Sequence, residues 1–128
     1  MAILDAVKGL EVWVKVDGER AEEYWDPADV PASATEVRRY IEGVPGKTFS
    51  VHEFFKQDFE PKDHAQRVIT NIDGILEDRG IISAEDLQRA NGWKSYCDGV
   101  RQECQDGDIM YRDFQFHDLN IGQYSNKL

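Results

Sequence analysis

Three segments between Val68 and Ile121 decide the fold of this chain. They read V-I-T-N-I-D-G at 68–74, I-I-S-A-E-D-L-Q-R-A at 81–90, and G-W-K-S-Y-C-D-G-V-R-Q-E-C-Q-D-G-D-I-M-Y-R-D-F-Q-F-H-D-L-N-I at 92–121. Apolar residues alternate with polar ones in the first and third segments, which is the period of a strand with one buried face. Asp-Gly pairs interrupt the alternation, and this dipeptide suits the positive φ angles of tight hairpin turns. The pattern predicts an antiparallel β-fold.

The middle segment carries one short helical signal. Ser83 is a suitable N-cap, and Glu85 and Asp86 place negative charge in the first turn. Asn91-Gly92 favours an early end. We therefore predict one short helix near residues 84–90.

Turn signals recur along the whole chain, and predicted strands far outnumber the helix. This composition predicts a mainly all-β chain, folded as an antiparallel β-sandwich or a jelly-roll-like arrangement. A length of 128 residues fits one domain. We assign residues 1–121 to that domain and residues 122–128 to a C-terminal tail.

The segment L-E-V-W-V-K-V at 10–16 alternates strictly. Its even-numbered residues are apolar and are expected to face the core, whereas Glu11, Trp13 and Lys15 fall on the other face. Asp17-Gly18 follows as a hairpin turn. Because Trp13 stands on the nominally polar face, we expect it to be exposed and to mark a binding surface.

Further strands are predicted at residues 19–25, 35–41, 47–55, 66–72, 93–104 and 109–116. The segments between them contain proline, glycine or clustered charges and are predicted to be loops. Asp98-Gly99 is either a turn or a bulge inside the strand at 93–104, and the sequence leaves both alternatives open.

The formal charge of the chain is −10, from 25 acidic and 15 basic residues. Such a surface repels phosphate backbones, so nucleic acid is not the expected partner. No leader peptide and no bilayer-spanning apolar stretch is visible in the sequence, so we expect no membrane association. Cys97 and Cys104 do not form a disulfide framework, and an intracellular location, cytoplasmic or nuclear, is expected. Asn126-Lys127-Leu128 departs from the peroxisomal Ser-Lys-Leu signal at its first residue, which disfavours that compartment.

The sequence contains no recognisable reaction machinery. The segment H-E-F-F-K at 52–56 begins like a zinc-protease motif, but Lys56 replaces the second histidine ligand. Cys97 and Cys104 are too far apart for a redox pair, and Asp106-Gly107-Asp108 lacks the twelfth-position glutamate of a calcium loop. We expect no catalytic residue, no metal and no cofactor.

Aromatic residues are frequent in the C-terminal half, at Trp93, Tyr96, Tyr111, Phe114 and Phe116. At strand spacing most such residues lie in the core, although they also suit a ligand platform. The residues that we nominate for binding are Trp13, Trp93 and Tyr111.

Taken together, these features resemble a family of uncharacterised fungal β-rich domains. The matching stretches are I-L-D-A-V-K-G-L-E-V-W-V-K-V-D-G at 3–18, R-Y-I-E at 39–42, N-I-D-G at 71–74, G-W at 92–93, D-G at 98–99 and F-Q-F-H-D-L-N-I at 114–121. The resemblance implies a mainly-β domain of unknown biochemical role, with no catalytic residues to carry over. Members of that family continue beyond the last stretch with a linker and another hydrophobic strand, whereas this sequence ends at Leu128. Either the chain is a naturally short member or the final strand is missing, and in the second case the sheet would keep an unpaired edge, which invites association.

The favoured hypothesis is a non-enzymatic protein-interaction or scaffold domain that engages a protein partner through a sheet edge or an aromatic face. Association of identical copies through an open sheet edge is a related expectation. An acidic chaperone for basic proteins such as histones is the first alternative, based on charge alone. An enzyme with an unrecognised site is the second. A pocket that brought His117 together with carboxylates would favour it.

Overall fold

The computed structural model describes residues 8–29, 36–60, 63–89 and 91–117. In these residues the chain forms eight strands and one short helix: β1 (Leu10–Val16), β2 (Glu19–Arg20), β3 (Phe49–Phe55), β4 (Gln66–Ile72), β5 (Ile75–Ile82), α1 (Ala84–Leu87), β6 (Trp93–Cys97), β7 (Gly99–Glu103) and β8 (Ile109–Asp113). Every strand pair is antiparallel. The predicted mainly-β, antiparallel architecture with one short helix is confirmed.

The largest sheet has four strands in the order β2-β1-β3-β6. Its register places Trp13 opposite His52 and His52 opposite Tyr96. Asp17-Gly18 joins β1 to β2 with φ angles of 53° and 83°, the left-handed geometry that the dipeptide predicts.

Alternation gives this sheet two different faces. We call the face that carries Val12 and Glu53 the inner face, and the face that carries Trp13 and His52 the outer face. The burial of the two faces differs from what the sequence predicts.

β4 and β5 form a hairpin that lies over the inner face. Asp73-Gly74 closes it with φ angles of 51° and 85°, so the predicted strand 66–72 and its turn are confirmed. The sequence pattern did not predict β5, because charged residues and Gly80 interrupt its alternation. Arg79 of β5 contacts β3 and β6, which fixes the hairpin above those two strands.

β7 and β8 form a second hairpin, which we call the arm (residues 99–113). Asp98 separates β6 from β7, so the chain breaks there instead of continuing as one strand through residue 104. At the base of the arm, the Phe114 N–H donates to the Asp98 carbonyl at 2.8 Å. The Phe114 carbonyl accepts from the Phe49 N–H at 3.0 Å, which ties the arm to β3.

Two predicted strands are wrong in extent. The strand predicted at 19–25 is reduced to β2, and the described part of the one predicted at 35–41 contains only a single bridge, between Tyr40 and Tyr24. Because Arg38 and Arg39 are adjacent, each face of that segment carries a charged side chain. Neither face is fully apolar, which explains why strand pairing does not extend beyond the bridge.

The helix begins where the sequence predicts. Ser83 Oγ accepts a hydrogen bond from the Asp86 N–H at 3.1 Å, as an N-cap should. α1 ends at Leu87 and is therefore shorter than the predicted range 84–90. Residue 90 and the predicted tail at 122–128 lie outside the described residues.

The closed core lies at one end of the molecule. Phe55, Phe59, Ile82 and Leu87 form it, and Phe55 meets Phe59 edge-on with ring centroids 4.8 Å apart. Helix α1 contributes Leu87, so the short helix covers this end of the sheet. The rest of the inner face is less well covered, and this is where the candidate site lies.

Candidate functional site

Burial along β1 is the reverse of the prediction. Glu11 and Trp13, on the outer face, are each only 8% exposed. Val12 and Val14, on the apolar inner face, are only half-buried. The prediction that Trp13 lies on the nominally polar face is confirmed, but the expectation that it is exposed is wrong. The apolar face of β1 is the one that lacks a complete cover.

A groove of about 520 Å³ accounts for this incomplete cover. Its lining consists of inner-face and core residues together with the whole of β4: Leu10, Val12, Val51, Glu53, Phe55, Phe59 and residues 66–72. We call this groove the apolar trough. All seven consecutive residues of β4 line it, which requires that the strand present its edge to the trough, since either face would expose only alternate residues.

The edge of β4 that faces the trough has no strand partner among the described residues. Among the described strands β4 pairs with β5 alone, and β1 pairs with β2 only at Lys15 and Val16. An unpaired edge presents a row of backbone N–H and C=O groups that favours pairing with another chain. In the described part of the chain, the layer formed by β4 and β5 therefore ends at the edge of β4, beside a face of half-buried valines.

A buried ion pair forms part of the trough wall. Arg79 Nη2 donates to Glu53 Oε2 and also to Ser95 Oγ, the latter at 2.8 Å. The side chains of Arg79 and Glu53 are 9% and 6% exposed. Burial raises the pKa of Glu53, and the guanidinium of Arg79 offsets part of this rise. The pair connects β5 to the sheet, and Glu53 is the member of the pair that lines the trough.

The outer face carries a row of stacked rings across neighbouring strands, which we call the aromatic row: Trp13, His52 and Tyr96. The ring centroids of Trp13 and His52 are 5.7 Å apart with planes 11° from parallel. Those of His52 and Tyr96 are 5.4 Å apart at 19°. The guanidinium of Arg20, on β2, lies 4.2 Å from the Trp13 ring centre, so one residue from each of the four strands takes part.

His52 is held firmly within this row. Ser50 Oγ and His52 Nε2 lie 2.8 Å apart, within hydrogen-bond distance. Burial lowers the pKa of His52, and the cations Lys15, Arg79 and Arg20 lower it further, whereas Asp98 raises it slightly. A neutral histidine beside a hydroxyl is one part of a hydrolytic site. Among the described residues, however, no carboxylate is hydrogen-bonded to the His52 ring, so the orienting group of a triad is missing.

The three residues nominated for binding occupy three separate places. Trp13 lies in the aromatic row, whereas Trp93 packs against the core and has the guanidinium of Arg89 5.1 Å from its ring centre. Tyr111 lies on the arm, where its hydroxyl donates to Asp98 and this bond raises the pKa of Tyr111. The structure does not bring them together in one surface. Their role in binding remains a prediction.

The aromatic residues of the C-terminal half divide between core and surface. Phe114 is buried, and Phe49 stacks on both Phe114 and Phe116 with centroids 5.3 and 4.5 Å away. Tyr96 and Tyr111 are exposed, so the expectation of a core position is wrong for both. Each lies on a strand whose outward face has no covering layer in the described residues.

His117 lies in a wide, open cavity of about 1040 Å³ that also includes Asp73 and Asp113. This grouping is the arrangement that would favour an enzyme. Among the described residues, His117 makes no hydrogen bond or ion pair with either carboxylate. The side chains share a cavity but do not form a proton-transfer pair.

In the described part of the chain, no group of three His, Cys, Asp or Glu side chains is placed to hold a metal ion. Cys97 and Cys104 are both free, and Cys97 is buried with its Sγ 3.4 Å from the Gly99 carbonyl. No described helix has the length and apolar character needed to cross a bilayer.

Sequence reasoning did not identify Glu53, Arg79 or the edge of β4. A signal for Glu53 was present, because alternation in β3 places it on the same face as Val51 and Phe55. An acid on an apolar strand face requires a cationic partner. Identifying Arg79 as that partner required β5, which the sequence pattern did not show.

Comparison with known proteins gives one match. A family model described as Domain of unknown function (DUF7918) matches residues 9–128 of the chain. No curated protein and no solved structure matches it. The matched range includes every described strand and the helix.

Proposed function

The chain belongs to this family of domains of unknown function, and we propose that it is a non-enzymatic protein-interaction domain that binds an extended, apolar segment of a partner protein in the apolar trough. The single observation that carries the proposal is the inverted burial of β1. Its valine face is half-open beside the unpaired edge of β4. A strand added to β4 would cover that face.

An extended segment fits this site better than a helix or a small molecule. The edge of β4 offers backbone donors and acceptors at strand spacing, which only another strand satisfies along its length. Alternate side chains of the added strand would point toward Val12 and Val51. The mode of binding would therefore be strand addition, with backbone pairing providing affinity and the trough selecting apolar side chains.

The energetic gain comes from completing the burial of the inner face. Full burial of a valine or leucine side chain stabilises by about 1.5–3 kcal/mol. Leu10, Val12 and Val51 are already half-buried and would contribute only the remaining part each. The net charge of −10 favours partner segments whose outward residues are basic.

The experiment uses a fluorescent peptide of alternating valine and lysine residues as the probe. We expect saturable binding by fluorescence anisotropy, with slowed hydrogen exchange confined to the amides of β4 and to residues of β1. A peptide of the same composition with two central prolines cannot pair along its length and is expected to bind at least about tenfold more weakly.

Two variants of the domain locate the site. Val12→Gln places a polar side chain in the trough and is expected to weaken the probe at least about tenfold. Tyr96→Ser, on the outer face, serves as the matched control and is expected to leave affinity unchanged. Equal binding by the proline peptide, or loss of affinity in Tyr96→Ser but not in Val12→Gln, would contradict the proposal.

A further inference from the structure

The arm carries exposed apolar side chains. Ile109, Met110 and Tyr111 are consecutive residues of β8, and all are exposed, Ile109 by 69%. Because consecutive residues point to opposite faces of a strand, both faces of the arm present apolar side chains to solvent. Every residue of β8 is exposed. A two-stranded hairpin of this kind is marginally stable in water unless something covers it.

β8 also has an unpaired edge. It pairs with β7 alone among the described strands, just as β4 pairs with β5 alone. The described part of the chain therefore includes a strand edge with exposed apolar side chains, at β8, and a strand edge beside the apolar trough, at β4. β8 has five residues and β4 has seven, so the first fits within the length of the second.

The arm is anchored at its base, beside the start of β3 and the closed end of its own β4–β5 hairpin. The backbone bonds of Phe114 with Asp98 and Phe49 anchor the base of the arm beside the start of β3. Val100, Arg112 and Asp113, at that base, line the wide cavity next to Ile72 and Ile75 at the closed end of the β4–β5 hairpin. Bringing β8 back along β4 of the same chain would require those anchoring bonds to break.

We propose that β8 of the arm occupies the apolar trough of a second copy of this chain, pairing antiparallel with β4 of that copy. The inference rests on the proposed function, because it assigns an occupant to the same trough. When two copies exchange arms reciprocally, the free edge of β8 pairs with the free edge of β4 in each direction, and the assembly closes as a dimer with two-fold symmetry. Each copy supplies a strand that completes the other's inner face.

Charge predicts how this association responds to salt. Each copy carries a net charge of −10, so two copies repel each other at long range. Added salt screens this repulsion, and the apolar contact is not weakened by it. Dimerisation is therefore expected to strengthen as salt increases. A chaperone that holds basic proteins by charge would show the opposite dependence.

The test is the solution mass, measured by light scattering after size exclusion over a range of protein and salt concentrations. We expect twice the monomer mass of 14.7 kDa at high concentration and high salt. Ile109→Ser combined with Met110→Ser removes apolar side chains from the arm without changing charge, and Val12→Gln alters the trough. Each variant is expected to raise the dimer dissociation constant at least about tenfold.

Ile81→Ser is the matched control, because Ile81 is also exposed but lies on the outward side of β5. It is expected to leave the dimer intact. Mixing the arm variant with the trough variant gives the sharpest result, since one intact arm can then enter one intact trough. The mixture is expected to form a 1:1 pair that neither variant forms alone.

The outcomes separate this inference from the proposed function. A wild-type chain that stays monomeric at every concentration and salt, yet binds the valine-lysine probe, would overturn the second-copy occupant and leave the trough as a binding site. A dimer that Ile109→Ser with Met110→Ser does not weaken would also overturn it. Failure of the probe to bind under conditions where the chain is monomeric would overturn both.

Discussion

Arg79 of β5 and Glu53 of β3 form an ion pair between the two layers of the fold, with both side chains more than nine-tenths buried. Arg79 also donates to Ser95 of β6, so one guanidinium connects the hairpin to two strands of the sheet. Its Nε and Nη1 are buried and make no hydrogen bond among the described residues. This pair ties the β4–β5 hairpin to the sheet beside the apolar trough.

Removing Arg79 should destabilise the fold strongly. In Arg79→Met the Glu53 carboxylate stays buried without its partner, and breaking a buried pair on one side costs about 3–5 kcal/mol. The double variant Glu53→Leu with Arg79→Met removes both charges of the pair and is expected to recover most of that loss. The measurement is urea unfolding followed by tryptophan fluorescence.

The control for this prediction is the ion pair between Arg67 and Asp78, which lies at the surface. Arg67→Met is expected to cost no more than about 1 kcal/mol, because exposed pairs are screened by solvent. If Arg79→Met and Arg67→Met destabilise equally, Arg79 does not act as the buried connection between the layers.

Local patterns in the sequence were sufficient for the elements that alternation and turn chemistry specify. β1, β4 and the Asp17-Gly18 and Asp73-Gly74 turns follow from spacing and from the need for positive φ. The N-cap at Ser83 follows from its hydroxyl and the acids after it. These features depend on neighbours along the chain, which is why one sequence suffices.

The site depends on contacts between segments that are far apart in the sequence. Local sequence patterns do not show these contacts. β5 contains Asp78, Arg79 and Gly80 where a strand pattern would have alternating apolar residues, so its pairing with β4 was not predicted. The half-open face of β1 follows from the number of strands in the opposite layer. Alternation shows which residues share a face, but it does not show how much of that face another layer covers.

The stability of the domain should rise with pH just below neutrality because of His52. Its pKa is lowered in the folded state from the ordinary 6.5, mainly by burial and next by Lys15, Arg79 and Arg20. The unfolded chain therefore binds more protons between the lowered value and 6.5. The stabilisation from His52 is fully present above 6.5 and is lost as pH falls through the folded pKa.

A proton NMR titration of the His52 ring provides the direct measurement, with an expected midpoint below 6.5. His52→Phe retains a ring for stacking but cannot titrate, so its urea-unfolding curves should lack this part of the pH dependence. A midpoint at or above 6.5 would show that burial and the surrounding cations do not control this histidine.

Gly9 and Gly18 allow steric and conformational costs to be separated. Both have positive φ, 82° and 83°, where a side chain costs roughly 1–2 kcal/mol. A Cβ at Gly9 would also lie 2.5 Å from the Phe59 nitrogen, whereas one at Gly18 would meet nothing within 4 Å. Gly9→Ala is expected to lose clearly more stability than Gly18→Ala, because it displaces the buried Phe59. Equal losses of stability for the two variants, in thermal or urea unfolding, would show that Phe59 can be displaced at no energetic cost.

The inverted burial of β1 gives the most direct test of the trough itself. The sequence alone predicts that Val12 contributes more to the core than Trp13, because Val12 is on the apolar face. The structure predicts the opposite order, since Trp13 is buried and Val12 is half-open. Trp13→Ala is expected to cost about 3–5 kcal/mol. Val12→Ala removes two methyl groups, each worth about 0.8 kcal/mol when fully buried. Because Val12 is only half-buried, the cost of this substitution should stay below the sum of the two contributions.

Occupation of the trough should change the stability cost of Val12→Ala but not that of Trp13→Ala. Under dimeric conditions, or with the valine-lysine probe bound, the inner face gains a cover and the cost of Val12→Ala should rise toward that of a fully buried valine. The cost of Trp13→Ala should not change, because its environment on the outer face is the same in both states. Urea unfolding of both variants, with and without saturating probe, measures this difference. A cost for Val12→Ala that is independent of occupancy would mean that the probe does not cover Val12.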